Sequence, residues 1–542
     1  MATTRSEGRG GSAAARRPTD ATRASRRAWA VHGIVALATW HGLPSSAWAQ
    51  TWRIEPSAKA TVTATNNSGF ANGTDSGGDV ILDLAPRVTL TGRGARYTLN
   101  GYVEGDSLTF ARHSQTNQFI PSAQLALNAN PVDRWLYFDA GAGYTQSVVD
   151  PYSVVSSGGL PSERLQTKQY RLSPYVDHAF TPSVSLFYRN DNVWTRRNGD
   201  IASVEPRGNY ELHRNAALLT FKPEPLGLSL EGSQEKTDYA NAPRSTLELA
   251  SARAVLSYAV DPTLILGLVG GIEQSEFRQV KSRDSIRGIR LRWLPTERSN
   301  LNVSVERRFF DNGWNVDWSH RSPFMAMSVN FARQPTSQPS SYLLPNTGGD
   351  LRSLIDAAFT TRYPNPTERA VIVDSALANL GAGSATAAAV EVFSDYAQLQ
   401  NRASASVVFL GPRSALTLSL FSLKSEQLLR RDAPPLVGAL PPTDNKQLGF
   451  SVAYNRRLTS TLSVEAAAGA ARTSGLAAAT GDSTTSASAR LAASQNLSPK
   501  TRVFVGGRLQ RAQLVLFDTT TSVETSSSVQ EVAGFLGIEH KF

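Results

Sequence analysis

The chain has 542 residues, with 40 glycines, 28 prolines, three methionines and no cysteine. Missing thiols exclude a disulfide framework and thiolate metal centres, and they suit a protein that crosses an oxidising compartment. Hydrophobic residues make up 41% and the formal charge is +10, yet beyond the N-terminal region no apolar run approaches the ~18 residues of a membrane-spanning helix.

The N-terminal residues read as a targeting segment. Arg5, Arg9, Arg16, Arg17, Arg23, Arg26 and Arg27 form a long basic n-region, and residues 28–40 form an apolar h-region. Ala47-Trp48-Ala49 is an A-x-A cleavage site before Gln50, so Ala47 and Ala49 are the expected recognition residues and 1–49 the expected signal peptide. Its arginines face only Glu7 and Asp20, so half of the formal +10 leaves with it. A mildly basic mature chain argues against nucleic acid as a partner.

From Trp52 onward, stretches of about ten residues alternate in polarity, the pattern of strands with lipid on one face and water on the other. Ile289, Leu291 and Trp293 alternate with Gly288, Arg290 and Arg292. Leu301, Val303 and Val305 alternate with Asn302, Ser304 and Glu306; Leu416, Leu418 and Leu420 alternate with Ala415, Thr417 and Ser419. The same holds for Leu448, Phe450, Val452 and Tyr454, and for Val503, Val505 and Leu509.

Connections between these stretches come in two lengths. Asn130-Pro131-Val132-Asp133, Phe180-Thr181-Pro182, Pro223-Glu224-Pro225, Asp261-Pro262, Pro295-Thr296-Glu297, Ser322-Pro323, Gly411-Pro412 and Ser498-Pro499 are tight, proline supplying the fixed dihedral of a turn. Residues 66–78, 150–163, 197–207, 424–443, 473–483 and 518–526 are longer and rich in Gly, Ser, Thr or Asn. The alternation of short and long predicts an all-β, antiparallel transmembrane barrel of the outer-membrane type, with about 22 strands (roughly 18 to 24) and short periplasmic turns. Gly313–Arg321 and Phe324–Arg333 are short enough to be one disturbed hairpin. Trp52, Tyr97, Trp135, Tyr137, Trp194, Trp293, Trp314 and Trp318 fall near strand ends, as aromatic girdles do.

One segment departs from the pattern. Across residues 335–396 the alternation lapses, and Leu351, Leu354, Ile355, Ala358 and Phe359 follow helical spacing, as do Ala370, Val371, Val373, Asp374 and Leu377 in part. A long, partly helical insertion is expected there, entering from the extracellular side and lying in the lumen or above it.

The inward register is charged. Alternation places Arg171, Arg189, Arg253, Arg290, Arg292, Arg308, Arg402, Arg502 and Arg508 in the lumen, with Glu104, Asp106, Asp177, Asp191, Glu306, Asp317 and Glu465. Two readings follow. Opposite charges on neighbouring strands pair into a polar wall, or Arg290, Arg292 and Arg308 form a basic ladder that concentrates anions. His113, His178, His213, His320 and His540 show no local His/carboxylate/Ser spacing, and Walker, H-E-x-x-H and dinucleotide fingerprints are missing. Gly270-Gly271 reads as a strand irregularity. The expectation is a non-enzyme without metal or cofactor.

The final stretch alternates Val532, Gly534, Leu536, Ile538, His540 and Phe542 against Glu531, Glu539 and Lys541. Leu536, Ile538, His540 and a terminal Phe542 resemble the address read by the outer-membrane barrel-assembly machinery of Gram-negative bacteria.

A set of short motifs adds a family resemblance. They are Trp52-Arg53-Ile54-Glu55-Pro56-Ser57, Leu172-Ser173-Pro174-Tyr175 followed by His178, Glu235-Lys236-Thr237-Asp238-Tyr239 and Arg308-Phe309-Phe310. Asp317-Trp318-Ser319-His320-Arg321 follows, then Tyr342-Leu343-Leu344-Pro345 running into Leu354-Ile355-Asp356, and Pro364-Asn365-Pro366 with Arg369. In this order they resemble the outer-membrane proteins associated with exosortase/PEP-CTERM systems, within a wider group of β-barrel porins. The resemblance implies an outer-membrane setting beside machinery for exopolysaccharide export and surface-protein sorting, with polysaccharide or its periplasmic export partners as partners and no catalytic residues to carry over. The expected function is a porin or conduit for such export. A non-conducting assembly barrel is the first rival, and an outer-membrane enzyme is another. A receptor with an N-terminal plug fits less well, since alternation begins directly after Trp52.

Overall fold

The computed structural model describes residues 51–70, 77–147, 165–198, 209–239, 247–277, 280–336, 340–343, 389–392, 398–428, 444–476, 482–518 and 523–542. The expected signal peptide, with Ala47 and Ala49, lies outside them. In chain order the strands are β1 (Thr51–Thr65), β2 (Asp79–Arg93), β3 (Tyr97–Phe110), β4 (Gln118–Val132), β5 (Leu136–Ser147), β6 (Leu165–Ala179), β7 (Val184–Asn198) and β8 (Tyr210–Phe221). They continue with β9 (Leu226–Tyr239), β10 (Leu247–Asp261), β11 (Leu264–Phe277), β12 (Val280–Thr296), β13 (Ser299–Arg308), β14 (Asp311–Ser322), β15 (Met325–Thr336) and β16 (Ser340–Leu343). The last eight are β17 (Ala389–Val392), β18 (Gln398–Leu410), β19 (Ser414–Gln427), β20 (Asn445–Arg457), β21 (Leu462–Gly475), β22 (Ser483–Asn496), β23 (Thr501–Asp518) and β24 (Val523–Lys541).

All but β16 and β17 form one 22-stranded sheet. Each strand pairs antiparallel with its chain neighbours, β15 passes directly to β18, and β24 returns to β1 from Thr65↔Ala533 to Ser57↔Lys541. The sheet is therefore a closed barrel of the outer-membrane type with no free edge. With strands ~4.8 Å apart and tilted near 40°, such a ring is roughly 45 Å across between backbones. Side chains close its seam: the Thr65 hydroxyl donates to Glu531 (2.8 Å), and the Asn66 side-chain oxygen accepts from the Val532 N–H (2.7 Å).

The faces follow the alternation. Ile54, Leu84, Val103, Leu268, Ile289, Leu420, Leu491, Val505 and Leu536 lie on the outside, and their exposure is that of lipid-facing residues. At the tight-turn end Trp135 stacks on His178 (3.7 Å between centroids) and meets Phe180 edge-on. His320 and His540 lie on the same outer face, bonded to Ser299 (2.7 Å) and Thr501 (2.9 Å). Tyr137 departs from the girdle reading. It faces inward and stacks on Tyr175 at 4.9 Å, because β5 turns Leu136 and Phe138 to the outside.

Three sequence expectations change. Gly313–Arg321 and Phe324–Arg333 are not one disturbed hairpin but lie in two complete strands, β14 and β15, paired from Trp314↔Arg333 to Ser322↔Met325. Gly270 and Gly271 carry no irregularity: their pairing with β10 and β12 runs unbroken. The helical spacing expected within 335–396 lies outside the described residues, and those that are described there are strand. β15 continues through Pro335 to Thr336, a place near a strand end where the missing N–H is tolerated. β16 pairs with β17 from Ser340↔Val392 to Leu343↔Ala389, among them Tyr342, Val390 and Val392, residue types that favour strands. No helix occurs among the described residues. β17 also approaches β5, which stands half the ring away from β15 and β18. This small sheet therefore reaches from one wall of the barrel to the opposite one.

Candidate functional site

The lumen wall is the candidate site, and its chemistry is set by which inward side chains meet across strands. Arg290, Arg292 and Arg308 all face inward, as β12 and β13 present Ile289, Trp293 and Val305 to the outside. They do not share one environment. Arg290 is gripped by both carboxylate oxygens of Glu231 on β9, one of them at 2.8 Å, and also donates to Glu306 at 3.1 Å. Glu306 in turn accepts from Arg253 at 3.1 Å, and Arg253 donates to Ser251 at 2.6 Å. Arg308 donates from Nε (2.9 Å) and Nη2 (2.7 Å) to one oxygen of Glu273, while the other oxygen accepts the Phe309 N–H at 2.8 Å. Glu273 is 3% exposed. Arg292, nearer the tight-turn end, is exposed and makes no ion pair among the described residues.

Glycines make room for this network. A Cβ at Gly271 would strike the Ala252 carbonyl, and one at Gly288 would strike the Val305 carbonyl and press on Glu306. These two inward positions stay flat, and Arg253 and Glu306 lie over them.

Other sectors repeat the pairing. Arg189 bridges Asp139 (3.0 Å) and Asp191 (2.9 Å), and Asp191 also accepts from Arg171 (3.0 Å) and Ser173 (2.5 Å). Arg87 meets Glu104 at 3.0 Å and Lys59 meets Asp83 at 3.6 Å. Arg214 meets Glu235 through Nε at 2.8 Å, and Arg508 meets Glu531, which is fully buried, at 2.9 Å. Partly desolvated pairs of this kind contribute little net stability, but losing one partner is costly. Their electrostatic effect is to cancel most of the fixed charge on the wall.

From β15 to β20 the wall changes character. Ser328, Asn330, Ser404, Ser406, Thr417, Ser419 and Ser451 face inward there; Ser406 donates to Ser419 at 3.3 Å, and Asn330 donates to Asp317 at 2.5 Å. This sector is a field of hydroxyls and amides, in which Arg402 is an exposed cation.

Several residues of the wall escaped the sequence reading: Glu231, Glu235, Glu273, Arg214 and Glu531 as partners. Leu226, Leu228 and Leu230 alternate cleanly, so the inward position of Glu231 was available from sequence. At the C-terminal strand Leu536, Ile538 and Phe542 face outward and exposed, with His540 edge-on to Phe542 at 5.0 Å. Among the described residues no group of three or more His, Asp or Glu is arranged to hold a metal.

No protein-family model and no curated protein matches the sequence. Solved structures do match. The chain is similar to the siderophore receptor PiuA from Acinetobacter baumannii, with 10% identity and a TM-score of 0.43 over 90% of this chain and 82% of that one. It is similar to the siderophore receptor PirA from Pseudomonas aeruginosa, with 8% identity and a TM-score of 0.42 over 91% and 81%. OmpT, an outer membrane protein of Vibrio cholerae, matches at 7% identity and a TM-score of 0.32 over 92% and 100%. Likenesses this distant do not bear on what this barrel carries.

Proposed function

We propose that this protein sits in the outer membrane of a Gram-negative bacterium and acts as a passive conduit for hydrophilic solute, in the setting of exopolysaccharide or surface-component export. The observation that carries the reading is the two-sided wall. Apolar side chains face out along the strands, while hydroxyls, amides and paired charges face in. That division fits lipid outside and water inside. An inner wall whose charges largely cancel favours a polar cargo of low charge density, and the hydroxyl field from β15 to β20 suits sugar hydroxyls. The family resemblance supports the same cargo class. The passage of β17 to β5 supports an insertion that narrows the bore.

Single-channel conductance in planar bilayers tests this. Thr336 and Gln398 are direct cross-strand partners, so a short turn can replace residues 337–397 without opening the sheet. The full chain is expected to conduct weakly and the deletion variant to conduct several-fold more. Silence from both, in protein whose barrel is folded, overturns the conduit and leaves a structural barrel.

A further inference from the structure

Near the long-connection end the outer face of β12 to β15 carries arginines. Arg283 and Arg287 on β12 and Arg307 on β13 are outward and exposed, and among the described residues their side chains make no hydrogen bond or ion pair. Arg287 and Arg307 are direct cross-strand partners, an arrangement that repels unless an anion lies between them. Arg333 on β15 completes the group, donating to the Asn312 carbonyl at 2.5 Å and lying over Trp314 at 5.4 Å. The nearby outward carboxylates are engaged: Glu276 meets Lys281 at 3.3 Å and Asp311 meets Arg333 at 4.0 Å. Directly below are Ile289, Val305 and Phe331, and level with Arg333 is its cross-strand partner Trp314, all exposed on the outer face. Taking ~3.3 Å per residue and a tilt near 40°, Arg287, Arg307 and Arg333 stand about 20 Å above the tight-turn end, close to the far edge of a ~25 Å apolar band.

A groove leads up to them. Leu186, Leu219, Leu230, Ala254 and Gly270 are successive cross-strand partners on β7 to β11, and the next partners in that row are Arg287 and Arg307. Along the row above, Ala217, Gly232 and Ala252 are small, and together the two rows line an open apolar trough of about 550 Å³. Because the strands tilt, the trough climbs the barrel towards the arginines. Spanning five strands at ~4.8 Å, it is roughly 20 Å long, the length of an extended acyl chain.

We propose that this trough and the arginine group form one lipid site, which takes a phosphorylated glycolipid of the outer leaflet. An acyl chain lies in the trough and headgroup phosphates are held by Arg283, Arg287 and Arg307. Guanidinium groups match phosphate oxygens in paired geometry. Arg283 stands about 13 Å further along β12 than Arg287, room for two anionic groups on one sugar headgroup rather than a single phosphate. The site rests on the membrane location proposed above but not on conduction.

Native mass spectrometry of the detergent-solubilised full chain reads the binding, with diphosphoryl lipid A as the probe and phosphatidylglycerol and inorganic phosphate as comparisons. One-to-one lipid A adducts are expected, with weaker binding of the other two. Arg283→Gln with Arg287→Gln and Arg307→Gln is expected to weaken lipid A by about tenfold for each guanidinium–phosphate pair lost. Gly232→Leu with Gly270→Leu fills the trough from the chain side. A Cβ at Gly270 meets nothing within 4 Å and one at Gly232 meets only the Ala217 Cβ at 4.0 Å, so this second variant should fold and still lose the lipid. Lys446→Gln with Arg472→Gln, outward cations on β20 and β21, should leave binding unchanged. Equal binding of phosphatidylglycerol or phosphate, unchanged adducts in both site variants, or an equal loss in the distant pair would each overturn the site. A preparation that is silent in bilayers yet binds lipid A sinks only the conduit.

Discussion

Arg287 and Arg290 sit three positions apart on one strand and face opposite ways. Arg290 points into the lumen, where Glu306 on the adjacent β13 and Glu231 on β9, three strands away, hold it. Arg287 points outward, where its cross-strand partner is another arginine and, among the described residues, no carboxylate reaches it. The two share a residue type, a strand and nearly a height, so the difference lies in what the neighbouring strands supply. Inside, β9, β11 and β13 deliver Glu231, Glu273 and Glu306 to the arginines, which makes the pairs part of the wall's construction. Outside, the described residues supply Arg283, Arg287 and Arg307 with no counter-charge. The same contrast separates two sectors of the outer face. On β7 to β9 the outward charges meet partners within the sheet, Arg196 with Glu211 (2.5 Å) and Lys236 with Asp238 (2.9 Å). On β12 and β13 Lys281 does so with Glu276 (3.3 Å), but among the described residues Arg283, Arg287 and Arg307 do not.

The largest effect that could break this contrast is at Glu273. It is buried and holds Arg308 through two N–H donors as well as the Phe309 backbone. Glu273→Ala leaves a guanidinium and an amide without their acceptor, and a loss of about 3 kcal/mol is expected. Denaturant titration of the barrel refolded in phosphatidylcholine vesicles measures it. A shift no larger than that of an exposed-site control means the inner pairs are ornamental, and the distinction between the two faces collapses.

Glu306→Gln sharpens the contrast with a smaller cost. It removes the carboxylate shared by Arg253 and Arg290, but Arg290 keeps Glu231 and Arg253 keeps Ser251. About 1–2 kcal/mol of stability should go. The reversal potential in a salt gradient should move from near neutrality towards chloride, since the wall then carries one more uncompensated positive charge. An unchanged reversal potential alongside measurable conductance would show that ions pass elsewhere than along β9 to β13.

Much of this was legible in the sequence, and the limit has a physical cause. Side-chain alternation has a period of two, so each clean stretch reveals its own faces. That is why Arg290, Arg292 and Arg308 could be turned inward from Ile289, Trp293 and Val305 alone, and why the expected number of about 22 strands agrees with the 22 of the ring. Partnership is different, because it depends on register between strands that are distant in sequence. Arg308 finds Glu273 across 35 positions and Arg290 finds Glu231 across 59, and both matches follow from the stagger that closes the ring. Glu273 was hidden further by its surroundings. Leu264-Ile265-Leu266-Gly267-Leu268-Val269-Gly270-Gly271-Ile272 is apolar or glycine at every position, so no alternation marks its faces. The outer arginines were missed for a related reason: outward charges above an apolar band look like the start of a loop until the strand is seen to continue to Val280.

The smallest expected effect is also the one most particular to the outer face. Arg287→Gln removes no hydrogen bond and no ion pair within the described residues, and it relieves repulsion from Arg307. In phosphatidylcholine vesicles, where the outer lipid brings no net charge, stability should therefore change by no more than about 0.5 kcal/mol, in the stabilising direction. Set beside Glu273→Ala, the two variants measure opposite things. One takes an acceptor away from an arginine that has it, and the other takes away an arginine that has none among the described residues. When diphosphoryl lipid A is added to the same vesicles, the wild-type barrel should gain stability and Arg287→Gln should gain less, because the stability that ligand binding adds to the folded state rises with the logarithm of affinity. If Arg287→Gln is instead strongly destabilising without any anionic lipid, the outward arginines are structural like the inward ones, and both the contrast and the lipid site fall together.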